Sequence, residues 1–309
     1  MANISAQMVG DLKKQTGAGL MDCKKALVEA NGDVDQAIKI LREKGLSAAA
    51  KKADRIAADG LVDIMKDGDV TAMVEVNTET DFVAKNATFQ EFVKGLLRTI
   101  IANKPADIAA LNTCKFDGTD FTVEETVKDK IFTIGEKISV RRFAIVEGTT
   151  STYIHGLGVT GVVVKFEADE AVKNKPEFAT FGKNIAIQIA AYPTAYLDRD
   201  SVPANVIAEE KEVIAAQIKN DPKNATKPAQ IIDKMVVGKL SKFYEENCLL
   251  DKEYVKDDSM KVNQYVAATA KELGGEIKVV GFERFEKGEG IEKRADNLDE
   301  EVAKMLGKN

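Results

Sequence analysis

The stretch VTAMVEVNTETDFVAKN, residues 70–86, ends an apolar run in a polar corner where Phe82 stands between Asp81 and Val83. Downstream, VVVKFEADEAVKN, residues 162–174, does the same. Setting Asp169 against Asp81 places Lys173-Asn174 on Lys85-Asn86. After a one-residue insertion, Phe178, Phe181, Ile185 and Ile189 fall on Phe89, Phe92, Leu96 and Ile100. Those positions share one face of a helix. The chain therefore reads as carrying a strand–corner–helix unit twice. In this alignment Phe82 is opposed by Glu170. Glutamate is almost never fully buried without a partner, so Phe82 reads less as core than as an exposed wedge.

Working outward, Leu61–Met65 and Val70–Val76 form two strands around Asp67-Gly68, a hairpin signal. A last strand is expected at about Ile277 to Phe285. Residues 1–46 hold three short helices. Ile4, Met8 and Leu12 mark the first, and Leu20, Cys23, Leu27 and Ala30 mark the second. Asp33 with Gln36 opens the third in a capping-box pattern, Val34, Ile38 and Leu41 give its apolar face, and Gly45 is expected to end it. SAAAKKADRIAAD, residues 47–59, reads as a linker. Such a small bundle suits either partner binding or a cap on the next unit. Val206, Val213 and the row Ile207, Ile214 and Ile218 mark one helix, and Ile231, Ile232, Met235, Val236, Leu240 and Phe243 a second, making two antiparallel helices of an arm over 203–246. The arm either reaches outward or packs on its own unit. A short helix, Asp299 to Leu306, closes the chain.

The 309 residues are enough for two or three compact units. With 44 basic and 50 acidic side chains the formal net charge is −6, which disfavours direct nucleic-acid binding. No run approaches the roughly 20 apolar residues that span a bilayer, so no membrane contact is expected. MANISAQMVGDLKK, residues 1–14, lacks a signal-peptide pattern, and the cytoplasm is the expected location. Cys23, Cys114 and Cys248 are far apart, and His155 is the single histidine. That usage gives neither a disulfide framework nor a multi-histidine zinc site, so no metal and no cofactor are expected.

The motif HGLGVTG, residues 155–161, contains GxGxxG but runs into the strand VVVKF, where a dinucleotide site would open a helix. A glycine-rich hairpin is the better account. No GxxxxGK[ST] is present, and Gly288-Glu289-Gly290 is a turn flanked by acids, poorly suited to phosphate. Binding surfaces remain, without a visible reaction centre.

Five segments in order then become informative: TGAGLMDCKKALVEANGDVDQAI (16–38), AADGLV (57–62), TDFVAKN (80–86), IGEKISVRR (134–142) and GFERFEKGEGIEK (281–293). Together they resemble the bacterial translation elongation factor Ts family, guanine-nucleotide exchange factors for elongation factor Tu. The resemblance is weakest over 103–133 and 194–260. It implies an α+β fold with a three-helix bundle like a ubiquitin-associated domain plus linker (1–55), and a first core subdomain (56–140). A second core subdomain (141–286) would carry an inserted antiparallel helical hairpin at about 203–246, followed by a short C-terminal helical module (287–309). It further implies no bond-making enzyme activity. The partner would be elongation factor Tu carrying GDP, whose magnesium and phosphate site is disturbed so that GDP leaves and GTP rebinds. By motif match, Thr80, Asp81, Phe82 and Val83 would press on the GTPase and dislodge its magnesium ion. Lys24 and His155 match further contact positions, His155 being equally readable as an ordinary hairpin residue. Asp81 is open between helix cap and partner contact. Homodimerisation through the core or the helical hairpin is also open. The rival class is a scaffold protein that oligomerises and leaves GDP release untouched.

Overall fold

Helical spacing of apolar residues builds the N-terminal bundle from α1 (Ala6–Thr16), α2 (Leu20–Glu29) and α3 (Val34–Lys52). The computed structural model describes residues 4–222 and 227–292, so the helix expected at Asp299 to Leu306 lies outside the described residues. The bundle closes over Val9, Leu12, Cys23, Leu27, Ile40 and Leu41. Asp33 caps α3, its Oδ1 accepting the Gln36 N–H at 2.9 Å. Gly45 does not end that helix, which continues to Lys52 and absorbs part of the expected linker. A Cβ at Gly45 would meet the Lys128 carbonyl and the Phe132 Cβ at 3.7 Å, an ordinary contact, so this buried position faces α7 without requiring glycine. Leu20, expected on the apolar face of α2, is instead exposed together with Met21 and Val28.

The rest of the chain is α+β, organised around two three-stranded antiparallel sheets. In the first, β1 (Asp59–Asp67) and β2 (Val70–Thr78) form a hairpin around Gly68-Asp69. Helices α4 (Asp81–Ala84), α5 (Ala87–Asn103), α6 (Ile108–Thr113) and α7 (Val123–Ile134) follow. Then β3 (Ile138–Glu147) pairs with the far side of β2, crossing position 140 where the sequence reading divided the core. In the second, β4 (Thr149–His155) and β5 (Thr160–Ala168) lead into α8 (Glu170–Lys173) and α9 (Pro176–Ala191). The arm α10 (Ala204–Asn220) and α11 (Ala229–Asn247), the small hairpin β6 (Glu253–Tyr254) and β7 (Asp257–Lys261), and α12 (Val262–Leu273) precede β8 (Ile277–Glu286). The β8 strand completes the order β4-β5-β8. Along the arm, Ile214, Ile218 and Leu240 form the buried seam, whereas Val213 and Ile231 stay exposed.

The two sheets share a helix spacing that corrects the sequence alignment. The α4 and α5 helices begin at 81 and 87, and α8 and α9 at 170 and 176, so no insertion separates them. Asp81 is the first residue of its helix, while Asp169 precedes its helix as the N-cap. Phe82 is therefore opposed by Ala171, and Asp81 by Glu170. Helices α7 and α12 also correspond, each ending at a left-handed glycine, Gly135 and Gly274, shortly before the closing strand. Phe89, Phe92, Leu96 and Ile100 fill the first core, and Phe178, Phe181, Ile185 and Ile189 the second, as their spacing predicts.

Val62, Met73, Val163 and Phe285 join the sheets face to face. The GxGxxG segment belongs to this contact. A Cβ at Gly161 would lie 2.5 Å from Val62 Cγ1, and one at Gly158 would lie 2.8 Å from Leu61 Cβ. The Gly158 carbonyl accepts the Val62 N–H at 2.8 Å, so these glycines admit the neighbouring sheet. Beside them the fully buried Glu75 holds both sheets. Its Oε1 accepts from Asn77 Nδ2 (3.1 Å), Arg141 Nη1 (3.0 Å) and the Gly288 N–H (2.8 Å). Its Oε2 accepts from Arg142 Nε at 2.6 Å. Arg142 in turn lies 4.4 Å over the Phe285 ring.

Burial pushes the Glu75 carboxyl up, but the hydrogen bonds from Gly288, Arg141, Asn77 and Arg142 outweigh it and the net shift is downward. A depressed folded value gives stability that is complete above the ordinary glutamate value, about 4.3, and is lost as pH falls through the folded one. Glu75→Gln should therefore cost about 3 kcal/mol at pH 7, the scale for breaking a buried ion pair. Urea unfolding across pH 7 to 3 checks this: the gap to wild type should narrow on acidification.

Candidate functional site

The β2–α4 corner is fixed by carboxylates on both sides of Thr80. Thr80 donates its N–H to Glu136 Oε2 at 3.0 Å and its hydroxyl to Glu136 Oε1 at 2.7 Å. Its carbonyl accepts the Thr78 hydroxyl at 2.8 Å. One residue earlier, Glu79 Oε1 accepts the Lys137 N–H at 2.6 Å and Arg55 Nη1 at 3.2 Å. Glu136 and Lys137 are placed by the left-handed Gly135 that ends α7. Val83 packs against the first core and Ala84 is buried. Thr80 and Val83 are thus anchors.

Between these anchors the chain faces outward. Phe82 is 79% exposed and so is not a core residue. Asp81 makes no capping bond to α4, whose N-cap is Thr80. Its carboxylate accepts from Lys85 Nζ at 2.6 Å, and that hydrogen bond holds the carboxyl below the usual aspartate range. The Lys85 ammonium also stands 6.0 Å from the Phe82 ring centroid. Asp81 and Lys85 thus flank the ring at its base and leave its outer face free.

Lys24 is exposed on α2, among the exposed Leu20, Met21 and Val28. His155 ends β4 and is exposed, with Tyr153 Oη 3.0 Å from its Nδ1. Lys24, the corner and His155 therefore sit on three separate elements and not in one pocket. Beside His155 lies Leu157, 92% exposed at φ +56°, which the sequence reading passed over. An apolar residue between Gly156 and Gly158 at a hairpin tip was its signal. The roles of Glu136 and Lys137 had no such local signal. Among the described residues no group of His, Cys, Asp or Glu could hold a metal ion, and no helix is long and apolar enough to cross a membrane.

A family model described as Elongation factor TS matches residues 79–289. The chain belongs to the elongation factor Ts family. A relative named Elongation factor Ts from Clostridioides difficile (strain 630) is 48% identical over 312 residues, covering 99% of this chain and 100% of the relative. One of the same name from Syntrophotalea carbinolica is 46% identical over 305 residues, covering 98% of this chain and 99% of the relative. A third, from Clostridium kluyveri, is 45% identical over 309 residues, covering 98% and 99%. The family match starts at Glu79 and so takes in the whole corner.

Thr80 and Phe82 differ in what they do for stability. Thr80→Val should destabilise the protein by about 1 kcal/mol through loss of a hydroxyl hydrogen bond. Phe82→Ala should stay within about 0.5 kcal/mol of wild type, as an exposed substitution does. Urea midpoints of the two variants measure the contrast.

Proposed function

We infer that the chain is a guanine-nucleotide exchange factor for elongation factor Tu, acting in the cytoplasm, with Phe82 as the wedge. Membership of the elongation factor Ts family supports the exchange function, and the observation that carries the wedge is a phenylalanine 79% exposed between the anchored Thr80 and Val83. The ring buries little within this chain, and aromatic anchors that fill a partner's pocket are often interface hot spots. In the partner, magnesium and the nucleotide phosphates stabilise each other, and the ion depends on few protein ligands. A ring pressed beside that site favours the conformation in which the ion is displaced. By linkage, the factor then weakens GDP binding by the same free energy with which GDP weakens the factor. GTP rebinds once GDP has left. No bond is made or broken on this chain, and its partner is a protein and not nucleic acid.

The remaining surfaces fit the same role. The bundle serves as a module like a ubiquitin-associated domain, with Lys24 among Leu20, Met21 and Val28 as its docking face. The β4–β5 turn offers His155 and Leu157 as a second contact. We read the two sheets as duplicated subdomains, the first closing with β3 at Glu147 and the second opening with β4 at Thr149. The α10–α11 arm, on this reading, is an insertion in the second.

Phe82→Ala should slow factor-stimulated GDP release by about 30-fold, the equivalent of a hot spot worth about 2 kcal/mol. Stopped-flow release of fluorescent GDP from elongation factor Tu measures it. A wild-type release rate in this variant overturns the wedge.

A further inference from the structure

We propose that Lys137 is a positioning residue that couples the N-terminal bundle to the Phe82 corner, so that docking through the bundle aims the ring. The proposal rests on the exchange-factor reading above. The IGEKISVRR segment, residues 134–142, supplies the observations. Its Arg141 and Arg142 are used by Glu75, and its Glu136 by Thr80. Within this segment it is Lys137 that reaches both units. Its Nζ donates to the Ala53 carbonyl at 2.6 Å and the Arg55 carbonyl at 2.8 Å, immediately after the end of α3. Its backbone N–H donates to Glu79 at 2.6 Å, one residue before the Thr80 anchor. Arg55 closes the loop by pairing with the same Glu79 carboxylate at 3.2 Å.

Further contacts make the bundle's seat continuous with this joint. Lys52 Nζ donates to the Ile131 carbonyl at 3.4 Å, Gly45 packs on Phe132, and the Arg42 guanidinium lies 3.9 Å over the Phe121 ring. These fix α3 along α7 and the turn before it, α7 being the helix whose C-terminal glycine leads directly into Glu136-Lys137. The Ala53 and Arg55 carbonyls lie just past the α3 C-terminus, where a lysine ammonium is a natural donor. Here the lysine is contributed by the core, so satisfying that end also ties the bundle to the corner. Two linked contact sites gain from each other only when their geometry allows simultaneous engagement. Misplacement of a reacting or pressing group by about 1 Å can cost up to about 100-fold in rate.

The test is a double-mutant cycle on the full chain: wild type, Phe82→Ala, Lys137→Met and the double variant, each titrated against elongation factor Tu loaded with fluorescent GDP. Lys137→Met keeps the aliphatic stem and removes the ammonium. It should lower the maximal release rate about tenfold while moving the half-saturating concentration less than about twofold, the pattern of an interaction made only in the activated complex. In that background Phe82→Ala should cost several-fold less than in wild type, and Lys137→Arg should restore most of the rate. Should Lys137→Met fail to fold, Glu79→Gln loosens the same joint from the corner's side and enters the cycle in its place. A Phe82→Ala cost that is equal in both backgrounds shows a merely structural lysine and overturns the coupling alone. A silent Phe82→Ala in the wild-type background overturns the wedge reading, and the coupling with it.

Discussion

The Glu136 carboxylate, accepting both the amide and the hydroxyl of Thr80, is the interaction on which the corner depends. A four-residue helix such as α4 has almost no internal hydrogen bonding, and helices this short are not stable by themselves. Its position is dictated from outside by Glu136 in front and by Val83 and Ala84 packed beneath. Charge-assisted bonds to a backbone N–H are among the stronger ones and are directional. They convert a loop tip into a platform. The large exposed ring of Phe82 is tolerable there because the residues on either side already satisfy the fold.

The same economy recurs between the sheets. Glycines at 158 and 161 remove the side chains that would hold the sheets apart, and Glu75 then gathers donors from both sides of the contact. A buried carboxylate without those donors would be strongly destabilising. With four of them it fixes the relative placement of the β1-β2-β3 and β4-β5-β8 sheets. The corner and the His155–Leu157 tip, carried on different sheets, are therefore held in one frame.

Much of this was legible in the sequence where the signal is local. The amphipathic spacing of α5 and α9, the hairpin at Gly68 and the glycine-rich turn at 156–161 all follow from short-range pattern. The exposure of Phe82 was also legible, though its argument used the wrong opposing residue. Matching Asp81 to Asp169 aligned identical letters, whereas the helices start one residue apart from that match and oppose Phe82 with Ala171. Gly45 misled because a glycine inside a helix and one that ends it read alike in sequence. The ties of Glu136 and Lys137 span 56 to 84 residues of chain, and no periodicity reports such contacts.

The corner is preorganised before any partner arrives. Amide hydrogen exchange of the free protein, read residue by residue by NMR, tests it most directly. The account predicts that the Thr80 and Lys137 amides, bonded to Glu136 and Glu79, exchange at least about 100-fold more slowly than the Phe82 amide. Thr80 exchanging as fast as Phe82 would contradict it, because the corner would then be an unbraced loop.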